Sequence, residues 1–303
     1  MPVRAGTPRS FASGISPDGR IVVGYASVEG EDPYLHQALI WREGAVEAVD
    51  IPGVDQALLH VNSRGIAIGV SLVDDQVTKF VYQDGRLTRV TGDPAGINEA
   101  GEMAGVLNTG QPVYWPSPTA EPVLLPVPDG ADGVVALGIN DDGVIIGIRS
   151  DYDSGHRVET PLLWRASHAS VEELPMPTNA DSAAALAIAG DWVSGSAFFP
   201  EPGMWQEVRW NIKTGAVDVF SDDELAGVGG INSRGHLAGF NGEYHGTLIT
   251  DDVSVDLPDL APSANPVNDI ISIPSSITDD GLTVVGGSLD SDLNRQAVIW
   301  RCR

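Results

Sequence analysis

The chain has 303 residues with 42 acidic against 17 basic side chains, a net charge of −25, which argues against nucleic acid or an anionic membrane as a partner. Its one cysteine, Cys302, excludes an intrachain disulfide framework or a thiolate zinc cluster. An apolar content of 42% excludes disorder by composition, while 35 glycines and 21 prolines without any helical period point to short strands and tight turns.

The first segment, "MPVRAGTPRSFASG", has no apolar h-region, and no later stretch is long enough to span a membrane, so a cytoplasmic protein is expected. A phrase then begins that recurs along the chain. "GISPDGRIVVGY" starts at Gly14, "GINEAGEMAGV" at Gly96, "GINDDGVIIGI" at Gly138 and "GINSRGHLAGF" at Gly230. Aligned on the second glycine, seven copies fall at Gly24, Gly69, Gly105, Gly147, Gly195, Gly239 and Gly286. Copy five, "ALAIAGDWVSGS", lacks two turn residues, and copy seven has Thr278 where others have Asn. Each copy continues into an apolar run that ends in an aromatic, at Trp41, Tyr82, Trp115, Trp164, Trp210 and Trp300; copy six ends at Thr250. A short turn and one more alternating run complete the unit.

Each repeat therefore reads as four strands, the first two joined by a hairpin turn such as "PDG" or "SRG". Four-strand units of this length signal a β-propeller. We expect one domain over 1–303, an all-β seven-bladed propeller of four-stranded antiparallel blades. Repetition has a physical cause: one blade cannot bury both faces, whereas seven around an axis bury each face against a neighbour. Ile15 and its equivalents should pack between blades, and the small residue before each should allow close approach near the axis. The seventh repeat stops at "AVIWRCR", so Val3 to Ala5 are expected to supply its fourth strand and close the ring.

The words "GINxxGxxxG" followed by "AxxWRxG" resemble the HAF-repeat family of bacterial propeller repeats, at seven points along the chain. The resemblance implies the propeller fold and carries no shared catalytic motif, so chemistry must be sought where one repeat departs from the others.

His60 is the sharpest departure, standing where other copies have Gly, Ala or Ser, and its imidazole suits acid–base work near the axis. The loops between second and third strands, together with those between blades, share one face and should surround the axial mouth. They offer Tyr34 and His36, then Tyr152, His156 and Arg157, then Trp205, then Phe240, Glu243, Tyr244 and His245. His60, His156, His245 and Glu243 are the candidate catalytic groups. Tyr34, His36, Tyr152, Arg157, Trp205, Phe240 and Tyr244 are the candidate substrate contacts. The stretches "DYDSG" at 151–155 and "DSDLN" at 290–294 alternate acids but lack a full calcium loop and read as polar turns. No dinucleotide fingerprint, phosphate loop, zinc-protease motif or nucleophile elbow is present, so no cofactor or metal is expected. Two functions fit: a cofactor-independent acid–base enzyme of lyase, cyclase, isomerase or hydrolase type acting on a small molecule, or a non-catalytic module that binds a ligand, glycan or protein.

Overall fold

The computed structural model describes residues 1, 8–28, 35–153, 156–251, 253–262 and 269–302. The chain folds as a seven-bladed β-propeller, and no helix occurs among the described residues. Each blade is an antiparallel meander whose strands pair in chain order. Blade 1 is typical, with strands Ser10–Ile15, Ile21–Ser27, His36–Arg42 and Ala45–Val49. Blade 7 shows three strands among the described residues, ending with Arg295–Arg301. The fourth strand expected at Val3–Ala5 lies outside the described residues. Beside them, the Met1 ammonium donates to the Ala297 carbonyl at 3.4 Å and Gln296 Nε2 donates to Pro8 O at 3.0 Å.

Among the described residues, seven buried apolar clusters occur, one for each junction between neighbouring blades. Ile15 lies in the cluster joining blades 7 and 1, and Val61 in that joining 1 and 2. The repeated tryptophans are buried in these seams. Trp164, Trp210 and Trp300 also clasp the preceding blade, donating their indole N–H to the carbonyls of Pro126, Pro175 and Pro258 at 2.7–2.8 Å. A buried indole thereby satisfies its one donor while its rings fill the seam.

The repeated phrase has two structural causes. The first is its Asn. Asn62, Asn98 and Asn140 are buried, and each donates its Nδ2 to a backbone carbonyl of the next blade: Asn98, Asn140 and Gly190, at 2.7–3.0 Å. Asn232 does the same to Thr278 O. The amide oxygen meanwhile accepts from the turn's own backbone, as in Val144 N to Asn140 Oδ1 at 2.8 Å. One side chain thus shapes its turn and binds the neighbour.

The second cause is a bulge. Every inner strand shifts register near its middle, for example between Ala185 and Ala187. The shift pushes an inner-strand carbonyl toward the second strand, where only glycine leaves room. The expected close approach near the axis is also present, since a Cβ on Gly230 would meet Ser276 Cα at 2.8 Å and one on Gly96 would meet Gly138 Cα at 3.1 Å.

Copy five has Ala189 in place of the Asn, and a different clasp joins blades 5 and 6. Arg209 is 8% exposed, with its guanidinium 4.8 Å from the Trp192 ring and 5.6 Å from that of Phe220. It is held by Asp218 Oδ2 at 2.8 and 3.0 Å and donates to the Gly235 carbonyl of blade 6. Arg209→Ala is expected to cost about 2–3 kcal/mol through lost stacking and an orphaned, buried Gly235 carbonyl. Arg209→Lys should recover less than half, because an ammonium cannot stack or fork. Urea midpoints of the two variants check this.

Candidate functional site

Among the described residues, an axial depression lies at the end formed by the turns between first and second strands. Its volume is about 100 Å3, and it is lined by the turns after the inner strands, with residues such as Pro17, Asn98, Gly190 and Asp279. The bridging amide side chains tie each of these turns to the next around the axis.

His60 sits next to last in the inner strand Val54–Val61 of blade 2, toward that depression. It is exposed to the channel lumen yet ringed by protein. This enclosure, with the Lys79 charge adding, pushes its pKa down to about 4, so the ring is neutral at neutral pH. The loop residues begin at the other end of the strand, about 20 Å away at about 3.3 Å per residue. The structure therefore separates His60 from the other candidates.

On the face of the second-to-third loops, two histidines make the same contact. His245 Nδ1 lies 2.7 Å from Asp259 Oδ2, and His36 Nδ1 lies 2.6 Å from Asp55 Oδ1. His36 begins the third strand of blade 1 and His245 immediately precedes that of blade 6, Gly246–Ile249, while Asp55 is the second residue of the inner strand of blade 2 and Asp259 lies in the passage from blade 6 to blade 7. A carboxylate only accepts, so Nδ1 donates and Nε2 is left as the acceptor of the neutral ring.

The His245 pair is the better supported of the two. The Asp259 side chain is only 9% exposed, against 39% for Asp55. Its second oxygen accepts from Ser272 Oγ at 2.7 Å, and Ser288 Oγ lies 2.9 Å from Ser272 Oγ. Tyr244 precedes His245 with φ of 67°, a left-handed backbone unusual for an aromatic residue. Its carbonyl accepts from Ile271 N at 2.9 Å, which ties the turn to blade 7. Glu243 is exposed in the same turn, its amide donating to Asn241 Oδ1 at 3.1 Å.

His36 stands edge-on to Tyr25, with ring centroids 4.7 Å apart. Tyr25 is raised by burial, and Arg295 and Asp55 add opposing charge effects. Arg295 belongs to blade 7, between the two His–Asp pairs, and donates to Ile270 O at 2.7 Å and Asp269 at 3.2 Å. An arc of titratable groups thus runs from blade 6 across blade 7 to blade 1.

The other candidates lie elsewhere on the rim. Phe240 is half-buried with its ring over Gly227. Trp205 is 47% exposed and leans on Phe198, centroids 5.7 Å apart. In blade 4, Tyr152 is 67% exposed and His156 is exposed. Arg157 is engaged by Glu159 at 2.9 Å and by Ser150 Oγ. Tyr34 lies outside the described residues. The "DSDLN" stretch is a polar turn, with Asp290 Oδ1 accepting from the amides of Asp292 and Asn294 at 2.9 Å.

Sequence reasoning missed Asp259, Asp55, Ser272, Arg295 and Glu207. A signal existed for the first two: each paired Asp follows its histidine's blade, Asp259 in the passage after blade 6 and Asp55 at the start of blade 2's inner strand. Glu207, at the same level of blade 5, is pushed up to about 7 by burial and then by the charge of Asp222. The native state thus holds a proton up to about pH 7 that the unfolded chain releases near 4.5. Stability from this group is complete below 4.5 and is lost as pH rises through 7. Glu207→Gln should remove the loss, so the melting temperature of the variant relative to wild type should rise between pH 5 and pH 8.

No protein-family model and no curated protein matches the chain. Solved structures do match, at low identity. An oligogalacturonate lyase from Vibrio parahaemolyticus aligns with TM-score 0.66 and 10% identity over 100% of this chain and 92% of that one. The β-propeller domain of the Trilobed protease from Pyrococcus furiosus aligns with TM-score 0.58 and 11% identity, over 97% and 94%. TolB from Acinetobacter baumannii aligns with TM-score 0.56 and 14% identity over 81% of this chain, and the match spans 65% of the TolB chain, under two thirds of its length. Together with the observed ring, these place the chain among the β-propellers. Among the described residues, no helix is long and apolar enough to cross a membrane.

Proposed function

We propose that the chain is an acid–base enzyme that binds a small organic substrate on the second-to-third-loop face, over blades 6, 7 and 1. His245 moves the proton in a reaction of lyase, cyclase, isomerase or hydrolase type. The observation that carries this reading is the His245–Asp259–Ser272 relay. A buried, hydrogen-bonded carboxylate orients one ring nitrogen and leaves the other as an acceptor on a half-exposed ring. His36, Tyr25 and Arg295 supply further donors along the same arc. The lyase from Vibrio shares the fold, and at 10% identity it supports only the compatibility of this scaffold with such chemistry. The seven repeated phrases support placing the chain with the HAF-repeat propellers.

A second reading has its own observation. Lys79, in the third strand of blade 2, pairs with Asp93 of the next blade at 2.9 Å, a contact placed like the two His–Asp pairs. Such pairs can serve as clasps between blades, leaving a module that binds without chemistry. Native mass spectrometry of the protein incubated with a metabolite extract separates the two readings. The enzyme reading expects a small molecule retained or converted by wild type and left unconverted by His245→Gln. Equal conversion by both proteins would refute it.

A further inference from the structure

A second cavity lies on the opposite face, in the crevice between blades 6 and 7, with a volume of about 670 Å3. That is the size of a small-molecule site. Its floor is apolar. Leu248 and Leu257 come from blade 6 and its exit, and Trp300 from blade 7. Trp300 has its one donor already satisfied by Pro258 O, so the wall it offers is its ring. Leu282 forms an exposed lip, 51% accessible.

The rim is polar and carries both signs of charge, Arg234 and Arg301 with Asp256 and Asp280. Arg234 and Arg301 line the cavity, and neither has a carboxylate within ion-pair distance among the described residues. His236 is 13% exposed, its Nε2 is 4.0 Å from Asp251, and its buried Nδ1 has no hydrogen-bond partner among the described residues. Two acids share the wall. Asp280 is committed locally, its Oδ1 accepting from Thr278 Oγ1 at 2.6 Å and Leu282 N at 2.9 Å. Asp256 is exposed, which makes a cationic ligand the decisive competitor. The negative charge of the rest of the chain is screened beyond about 8 Å at physiological salt, so it does not bar a small anion from two nearby guanidinium groups.

We infer that this crevice is a ligand site for a small amphipathic monocarboxylate, with its apolar body on Leu248, Leu257 and Trp300 and its carboxylate facing Arg234 and Arg301. The site is independent of the His245 face.

The only cysteine of the chain, Cys302, lines the same cavity and reports its occupancy. The probes are phenylbutyrate, its neutral amide phenylbutyramide and the cation phenylbutylamine. Occupancy is read as slowed N-ethylmaleimide labelling of Cys302 and, independently of thiol access, as saturation-transfer NMR of the probe. Phenylbutyrate should protect Cys302 at concentrations where amide and amine do not. The double variant Arg234→Gln/Arg301→Gln should need about tenfold more phenylbutyrate for the same effect. Leu282→Asp, at an exposed position, should abolish binding without unfolding the protein. His245→Gln should bind the probe like wild type, which separates this site from the proposed active site. Equal binding of the amide, stronger binding of the amine, no signal in either measurement, or an unchanged double variant would each overturn the inference.

Discussion

Gly195→Ala should destabilise the protein by about 3 kcal/mol or more, whereas Gly69→Ala, at the same place in the repeat, should cost about 1 kcal/mol. The chemistry of the two changes is identical, so the difference isolates geometry. At Gly195 a Cβ would fall on the carbonyl oxygen of Ala184, displaced into that space by the bulge at Leu186. Backbone cannot swing aside as a side chain can, so the two strands must separate and the blade 4–5 seam must open. At Gly69 the nearest carbonyl, Ala57 O, is 3.3 Å away, and the first atoms met are side-chain ends, Ile51 Cδ1 at 2.9 Å and Leu58 Cδ2 at 3.0 Å. Blade 2 has a second register shift, between Val54 and Ala57, and this relieves the approach. Urea midpoints for both variants measure the difference, and equal losses would refute the bulge as the reason for the repeated glycine.

His245→Gln should lower turnover by about 10²–10⁴ while leaving the melting temperature within about 3 °C of wild type. Asp259→Asn should lower turnover comparably. An amide keeps the shape of the carboxylate but can present N–H to Nδ1, which favours the tautomer with its proton on Nε2 and removes the acceptor. Lys79→Met is the control. It breaks the Lys79–Asp93 contact of equivalent placement and should affect stability alone. If His245→Gln and Asp259→Asn behave like Lys79→Met, with lower midpoints and full ligand conversion or retention, the His–Asp pairs are clasps and the binding-module reading takes over.

The candidate site was legible in part. The histidines at 36 and 245 stood out because the loops that hold them are free of the repeat constraint. Their partners did not stand out, because Asp55 and Asp259 lie 19 and 14 residues further on, beyond the third and fourth strands of the blade and among other acids. His60 stood out as a break in the pattern, and its identity said nothing of which end of the channel it serves. The strand it occupies places it toward the turns between first and second strands, away from the loops.

The sequence by itself determined the ring. Seven phrases, each a four-strand sheet with two apolar faces, have few ways to bury those faces other than against one another around an axis, and the buried clusters at the seven junctions are that solution. It also determined where most blades turn, through the Asn, Ser or Thr that caps its own hairpin in every copy but the fifth. Only the tertiary structure decided which side chains meet across a seam, and that Arg209 replaces the missing Asn of blade 5. Local propensity is written within a few residues, whereas these contacts join residues from different blades and depend on register shifts and strand spacing that no single repeat encodes.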